Sequence, residues 1–448
     1  MKEFSILYEQ CVNNLFSHEE LEDQYLKSFA RMHQLQVAMA AGDRLALFRD
    51  ALMTARKHHL QSPDLPCEKK FAASVLQIFG LRQNADLKIS IENERPVPEI
   101  DVDQIYRKKT KRMLVHCPID VQVKNILPDE FSNYNGAAQK MAVWCALALE
   151  KAQRHHNFFV NLPTGCGKTL IPHTLALNPW RKAKTIVVIA PTVSLILDLE
   201  LRTKEILNNK DSKLDHGGSY KWDGSTDDNE KAEIKKRMNS GTQRIIFLTP
   251  ETFCNQRNTF FQLVRKGLLG SIFIDEAHMV VQWGTNFRPH FQITATLINS
   301  LRNEAHDPLH CILLSATINE SIFNQLSGIF DGPNVSKINL NGSFLRPEII
   351  YKTMKVNDAD EHFELVLKSI VQLPKPLIVY CTKKAQARKI KDAIRTRLQI
   401  KRVEQFDGDT SAKNRERILA VWKADEVNVI VATSAFGLGV DKANVRSI

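Results

Sequence analysis

Short apolar runs rich in β-branched and aromatic residues recur between residues 157 and 317, and they constrain the fold more than any other feature of the sequence. They read NFFVNLP, TIVVIAP, RIIFLTP, SIFIDE and CILLSAT. Each run is too apolar for a strand with one side in water, and longer stretches of helical spacing separate the runs. This alternation predicts a parallel sheet covered by helices on both faces.

The rest of the chain divides on either side of this region. PLIVYCT (376–382) and VNVIVAT (427–433) follow a linker near 341–350 and predict a second α/β domain. Before residue 125, apolar residues recur at helical spacing, with Gly42-Asp43 as the expected turn between two helices. We therefore predict three parts: a mainly helical accessory domain at 1–125, a first α/β domain at 126–342 and a second at 343–448.

Composition excludes several classes of protein. With 448 residues and 43% hydrophobic content the chain can bury a large core, and its net charge of +11 suits a polyanionic partner without identifying one. The eight cysteines show no paired or metal-like spacing, so neither zinc nor a disulfide framework is expected. No signal-like start and no membrane-length apolar run is present, so we expect a cytoplasmic protein without a membrane partner.

The segment NLPTGCGKTL, residues 161–170, predicts a phosphate-binding loop between a strand and a helix. Glycines allow backbone N–H groups to face phosphate oxygens, Lys168 brings a charge to the outer phosphates, and Thr169 offers a hydroxyl to Mg²⁺. Leu162 stands where the strict pattern has glycine, and a purely structural turn is the less favoured alternative. The candidate nucleotide-binding residues here are Thr164, Gly165, Cys166, Gly167, Lys168, Thr169 and Leu170.

An acidic pair in IFIDEAH closes another buried run. Asp275 is the expected Mg²⁺ partner, and Glu276 the residue that polarises the attacking water. His278 is expected to relay the state of the nucleotide. Taken alone, such a pair is more often a helix cap. Together with the phosphate loop it predicts a catalytic set of Lys168, Asp275 and Glu276.

From about residue 130 to the end, the order of motifs resembles the superfamily 2 nucleic-acid helicases, and within them the RecQ branch. The matching segments are NYNGAAQ, NLPTGCGKT, APTVSLILD, LTPET, DEAH, QWGTNFRPHF, LSATI, FLRPEIIY and ATSAFGLGVDK. The resemblance implies two RecA-like parallel-sheet domains. It also implies that the second domain is incomplete, because the motif that brings arginines to the γ-phosphate would begin beyond Ile448. On that basis we expect this chain by itself to hydrolyse ATP slowly.

The resemblance further implies roles in nucleotide binding. Gln139 would read adenine with Tyr134 nearby, although Gly136 stands where the family has arginine. Gly439 and Asp441 would contact nucleotide from the second domain.

The aromatic-rich loop after DEAH would grip nucleic acid, because rings stack bases without reading their sequence. The alternative is that its aromatic residues belong to the core. Hydroxyl side chains that follow other strands would donate hydrogen bonds to phosphodiester oxygens or, alternatively, cap helices. The residues expected to contact nucleic acid or to couple it to hydrolysis are Trp283, Phe287, Arg288, His278, Ser194, Thr249, Ser315, Thr317 and Thr433.

These features favour an ATP- and Mg²⁺-dependent DNA helicase or translocase acting on single-stranded DNA, with 3′-to-5′ polarity implied by the resemblance alone. One alternative is an ATP-switched nucleic-acid-binding subunit of a bacterial defence or repair complex, and another is an RNA helicase. Residues 1–125 could dock a protein partner, and residues 208–242 are expected to form a surface insertion.

Overall fold

The computed structural model describes residues 40–57, 64–94, 117–125, 127, 131–178, 184–208, 218–283, 290–344, 349–437, 442 and 444–448. These residues form two compact units. One joins 40–94 with 349–448, and the other covers 117–344.

Strands and helices alternate through most of the chain. The strands are β1 (Asp64–Pro66), β2 (Leu81–Gln83), β3 (Lys88–Ile91), β4 (His155–Asn161), β5 (Thr185–Ile189), β6 (Lys221–Trp222), β7 (Ile245–Leu248), β8 (Leu269–Ile274), β9 (Cys311–Ser315), β10 (Val335–Asn341), β11 (Leu377–Tyr380), β12 (Val403–Phe406) and β13 (Val429–Ala432). The helices are α1 (Ala41–Lys57), α2 (Ala73–Ile78), α3 (Val121–Lys124), α4 (Ala137–Leu149), α5 (Leu170–Leu177), α6 (Val193–Asn208), α7 (Asp228–Ser240), α8 (Pro250–Asn255), α9 (Arg257–Arg265), α10 (His278–Trp283), α11 (His290–Asn303), α12 (Glu320–Ile329), α13 (Ala359–Gln372), α14 (Lys384–Thr396) and α15 (Ala412–Lys423).

The unit at 117–344 is built on one seven-stranded parallel sheet. Its strand order is β10-β4-β9-β8-β5-β7-β6. Every residue of β5, β7, β8 and β9 is buried, as expected for strands covered by helices on both faces. The predicted parallel-sheet α/β fold is confirmed.

Parallel pairing places the carboxyl ends of these strands at one edge of the sheet. The phosphate loop follows β4, the Ser315 loop follows β9, and the acidic pair follows β8. In the sheet these three strands are direct neighbours, in the order β4-β9-β8. Segments more than 100 residues apart along the chain therefore meet, as is usual for ligand sites of open parallel sheets.

The far edge of the same sheet corrects one prediction. Residues 208–242 were expected to form a surface insertion, but β6 pairs with β7 and forms the last strand of the sheet. Tyr220 and Trp222 are fully buried, and Asp227 caps α7 by accepting a hydrogen bond from Glu230 N–H. The described residues of this segment, from 218 onward, are therefore an integral part of the sheet and its helical cover. Its Asp-, Gly- and Ser-rich composition reflects turns and a cap rather than an insertion.

In the other unit, helix α1 shares one hydrophobic core with the carboxy-terminal region. Leu45 and Phe48 belong to the same buried cluster as Leu367 and Val429. The carboxylate of Asp43 accepts hydrogen bonds from the backbone N–H groups of Lys401 and Arg402. The expected turn at Gly42-Asp43 is wrong, because both residues lie in the first turn of α1, where glycine permits close contact with the 398–399 backbone.

Two small sheets complete this unit. The strands β1, β3 and β2 form an antiparallel sheet in that order, which sequence periodicity did not predict, and β11, β13 and β12 form a parallel one. The described residues at 40–94 thus share a core with the 349–448 region, whereas the three-part division at 125 and 342 stays a prediction. Among the described residues, the helices are too short or too polar to cross a membrane.

Candidate nucleotide-binding and hydrolysis site

The phosphate loop adopts the conformation that its glycines allow. Gly165 and Gly167 have φ angles of +73° and +67°, a left-handed region that other residues rarely adopt. The ammonium of Lys168 donates a hydrogen bond to the carbonyl of Leu162 at 3.1 Å, across the loop. The side chain of Leu162 is buried in the core, so this residue supplies a backbone carbonyl to the loop and a side chain to the core. A glycine at this position would keep the carbonyl but lose the side chain that is buried in the core.

Gln139 holds the phosphate loop from helix α4. Its Nε2 donates to Gly167 O at 2.8 Å, and its Oε1 accepts from Asn135 N–H at 2.6 Å. A Cβ atom at Gly167 would lie only 2.4 Å from Gln139 Nε2, so a side chain at 167 would displace this bond. Both ends of the amide contact protein backbone here, and the predicted reading of adenine by Gln139 stays a prediction.

The acidic pair lies within the electrostatic reach of the phosphate loop. Burial, followed by the charge of Glu276, raises the pKa of Asp275 to about 6, and the charge of Lys168 opposes this rise. Burial also raises the pKa of Glu276, again opposed by Lys168. One lysine is therefore the shared counter-charge for two carboxyls, which together carry more negative charge than it can balance.

Glu276 also has an unusual backbone. Its φ of +50° lies in the left-handed region, which costs a residue with a Cβ about 1–2 kcal/mol. The neighbouring Asp275 carboxylate accepts the Glu276 N–H at 3.0 Å, and Ala277 N–H donates to Leu314 O at 2.9 Å. These bonds hold the turn in place. Local strain of this kind is typical of residues whose position serves a function.

His278 connects the acidic pair to the loop after β9. Its Nδ1 lies 2.9 Å from Ser315 Oγ and 3.3 Å from a carboxylate oxygen of Glu276. Ser315 Oγ in turn accepts a hydrogen bond from Thr317 N–H at 3.2 Å. Burial lowers the pKa of His278, and the charge of Lys168 lowers it further. The residues predicted to relay nucleotide state thus form one continuous chain of contacts with the acidic pair.

The donor set suits a divalent cation. Asp275 and Glu276 are adjacent partly desolvated carboxyls, and a dication would relieve their repulsion and return the pKa of Asp275 toward its usual range. Oxygen ligands are those that Mg²⁺ prefers. Asp275 and the hydroxyl of Thr169, at the start of α5, are the residues that would hold it.

Sequence reasoning missed His173, one turn after Thr169 on α5. The buried ring has Nδ1 at 2.7 Å from Thr169 O and Nε2 at 2.7 Å from Thr203 Oγ1 on α6. A carbonyl can only accept, so Nδ1 carries the proton of the neutral ring and Nε2 is an acceptor. The hydroxyl of Thr203 donates to Nε2. It shares its single hydrogen with a second acceptor, Leu199 O, at 2.8 Å. Burial lowers the pKa of His173 to about 4, which keeps the ring neutral. The i, i+4 spacing from Thr169 was the signal available in the sequence.

Some predicted residues have structural roles in this unit. Thr249 caps helix α8 by accepting from Thr252 N–H, which favours the capping alternative for it. Tyr134 is fully buried and donates its hydroxyl to Asp120 at 3.2 Å, so its ring is not available to stack on a base in this structure.

The remaining predicted contact residues lie outside the described part of the chain or in the other unit. Phe287 and Arg288 fall outside the described residues, as do Gly439 and Asp441. The side chains of Ser194 and Trp283 are likewise outside the described part. In the other unit, Thr433 follows β13, and its N–H donates to Phe406 O at 3.1 Å. The roles predicted for all these residues stay predictions.

Comparison with known proteins places this arrangement in a family. Residues 139–324 match the DEAD/DEAH box helicases, and residues 361–448 match the helicase conserved C-terminal domain. The chain is 30% identical over 300 residues to the RecQ-like DNA helicase blm-1 of Caenorhabditis elegans. The aligned region covers 65% of this chain and 28% of that protein. It is 29% identical over 293 residues to the ATP-dependent DNA helicase RecQ of Pasteurella multocida, covering 64% and 42% respectively.

A solved structure shares the fold. The DUF1998 helicase MrfA bound to DNA and AMPPNP superposes with a TM-score of 0.52 at 20% identity, over 73% of this chain and 45% of that one. The chain therefore carries both core domains of a superfamily 2 helicase. Within that class, the curated relatives compared above are RecQ-like DNA helicases, the branch that its motifs predicted. It spans less than half the length of the two curated relatives.

Proposed function

We propose that this chain is the motor core of an ATP-dependent DNA helicase or translocase, which couples ATP hydrolysis to movement along single-stranded DNA in the 3′-to-5′ direction. The observation that carries the proposal is that Lys168 interacts electrostatically with the acidic pair, and that Glu276 contacts His278, which in turn contacts Ser315, across three neighbouring strands. The DNA helicases among its relatives support DNA as the polymer.

The residues of the site have distinct tasks in this proposal. Lys168 exchanges the Leu162 carbonyl for the outer phosphate oxygens of ATP, while the N–H groups of the phosphate loop bind the remaining oxygens. Thr169 and Asp275 would hold Mg²⁺, which would supply positive charge to neutralise the phosphates. Glu276 orients the attacking water and accepts its proton, a role that the raised pKa of its carboxyl favours.

Signalling to nucleic acid would begin at the same carboxylate. His278 contacts both Glu276 and Ser315, so a change at the γ-phosphate position alters the hydrogen bonds of the loop that contains Ser315 and Thr317. Because packed cores have discrete arrangements, a small shift there is transmitted rather than absorbed.

The test is ATP turnover with and without single-stranded DNA or RNA, for the wild type and Glu276→Gln. We expect DNA to stimulate the wild type, and Glu276→Gln to lose about 10²- to 10⁴-fold in turnover while still binding ATP, because the amide keeps the shape but cannot act as a base. Glu320→Gln is the matched control, since Glu320 is exposed in the first turn of α12 and should leave turnover unchanged.

The other outcomes separate the alternatives. Equal turnover with and without any strand contradicts a motor. Stimulation by RNA but not by DNA indicates an RNA helicase, and ATP-dependent DNA binding without turnover indicates a switched binding subunit. Strand displacement from duplexes with a 3′ or a 5′ single-stranded tail measures the polarity.

A further inference from the structure

Asn161, the last residue of β4, occupies a junction of three segments. Its side chain is only 3% exposed. Nδ2 donates to Ile318 O at 3.0 Å and to Asn341 Oδ1 at 3.1 Å, and Oδ1 lies 3.4 Å from Ile318 N. One buried amide thus bonds the loop after β9 and the end of β10.

The backbone around Asn161 makes contacts to the same two segments. Asn161 O accepts from Gly342 N–H at 2.9 Å, and Leu162 N–H donates to Ser315 O at 3.0 Å. Because β4 lies between β10 and β9, Asn161 is paired with Asn341 on one side and with Ser315 on the other. The next residue, Leu162, holds the ammonium of Lys168, so the junction is one residue from the phosphate loop.

The end of β10 is tightly fixed where the chain leaves this unit. A Cβ atom at Gly342 would lie 2.6 Å from Ala138 Cβ and 2.8 Å from Leu162 Cδ2. Asn341 Oδ1 accepts from Ser343 N–H at 3.1 Å and from Ser343 Oγ at 2.7 Å, besides the amide of Asn161. The backbone at residues 342–343 is therefore held by the same oxygen that Asn161 binds.

We propose that Asn161 is a positioning residue that transmits the state of the phosphate loop to the loop at 315–318 and to residues 342–344, which follow β10 at the end of this unit. This inference rests on the proposed nucleotide site. A buried amide that loses its hydrogen-bond partners costs free energy. The partners of the Asn161 amide, which are Ile318 O, Asn341 Oδ1 and Ile318 N–H, must therefore move together with β4. The catalytic and phosphate-binding groups themselves do not include Asn161.

The experiment measures hydrogen exchange of the full chain with and without Mg²⁺ and AMPPNP. In the wild type we expect slower exchange, by about fivefold, in peptides covering 162–170, 315–320 and 341–344 on nucleotide binding. In Asn161→Leu, which keeps the volume and removes the amide, protection should remain at 162–170 and be lost at 341–344.

A matched control lies on the same strand. Asn157 is also buried, and its amide contacts Phe330 O and Arg302 at the other end of β4. Asn157→Leu makes the same chemical change and should keep the nucleotide response at 341–344. The inference is overturned if the wild type responds only at 162–170, if Asn161→Leu keeps the full response, or if Asn157→Leu loses it equally. Absence of any response at 162–170 would refute the proposed nucleotide site and this inference with it.

Discussion

Replacing Gly42 with alanine should loosen helix α1 from the carboxy-terminal part of its unit. An added Cβ would lie 2.0 Å from Leu398 O and 2.6 Å from the carbonyl carbon of Gln399. Carbon and oxygen ordinarily approach no closer than about 3.3 Å, so the helix must retreat by roughly 1 Å. Such a shift breaks the bonds of Asp43 to Lys401 N–H at 2.9 Å and to Arg402 N–H at 3.1 Å.

The size of the effect follows from these contacts. Each backbone donor left without a partner costs about 1–3 kcal/mol, and the overpacking itself adds about 1–3 kcal/mol. We therefore expect a destabilisation of about 3–9 kcal/mol, confined to the unit that contains α1. Hydrogen exchange measures it region by region, as faster exchange in peptides of α1, β12 and β13 with no change in β5 and β8.

Gly328→Ala is the control for this prediction. Gly328 lies in helix α12 of the other unit, and an added Cβ there meets nothing within 4 Å. Alanine should be neutral there or stabilising by about 0.5–1 kcal/mol. Unchanged exchange around β12 in Gly42→Ala, or equal changes in both variants, would refute the assignment of α1 to this core.

Two further predictions concern polar side chains of the unit at 117–344. Because burial lowers the pKa of His173 from 6.5 to about 4, the unfolded chain takes up a proton between these pH values that the folded chain does not. The free energy of unfolding should therefore fall by about 3 kcal/mol as the pH drops through this window. In His173→Gln this contribution to the fall should be absent. An identical pH dependence of unfolding in the wild type and in His173→Gln would contradict a neutral buried His173. Asp120→Ala should destabilise the unit by about 1–3 kcal/mol, because the Asp120 carboxylate accepts hydrogen bonds from Trp144 Nε1 at 2.8 Å, from Lys140 and from Tyr134. The substitution should also shift the fluorescence emission of Trp144. Lys140→Ala, which removes only a half-exposed ion pair, should cost about 0–1 kcal/mol, and a larger loss than in Asp120→Ala would contradict this order.

The contacts of His173 and Asn161 extend the site beyond its motifs. His173 joins the backbone of Thr169 to helix α6, and Asn161 joins β4 to two neighbouring segments. Both side chains are buried, and each contacts groups that are distant along the chain: Thr203 for His173, and Ile318 and Asn341 for Asn161. Such groups hold one arrangement firmly because every alternative leaves a polar atom without a partner.

The sequence by itself determined the parallel sheet, the phosphate loop and the acidic pair. Each of these rests on local rules: buried strands are continuously apolar, a loop that binds phosphate needs glycines, and the acidic residues directly follow their strand. Leu162 departs from the strict phosphate-loop pattern; its side chain is buried in the core, and its carbonyl accepts a hydrogen bond from Lys168.

Only the tertiary structure decided which distant residues meet. The placement of β6 at the sheet edge, the shared core of α1 with residues 349–448, and the amide of Asn161 between Ile318 and Asn341 all depend on pairings across large sequence separations. A local pattern records whether a residue is buried, but not what lies on the other side of the core. The partners of a buried polar group are therefore fixed by strand order and register, which the complete packing of the chain selects.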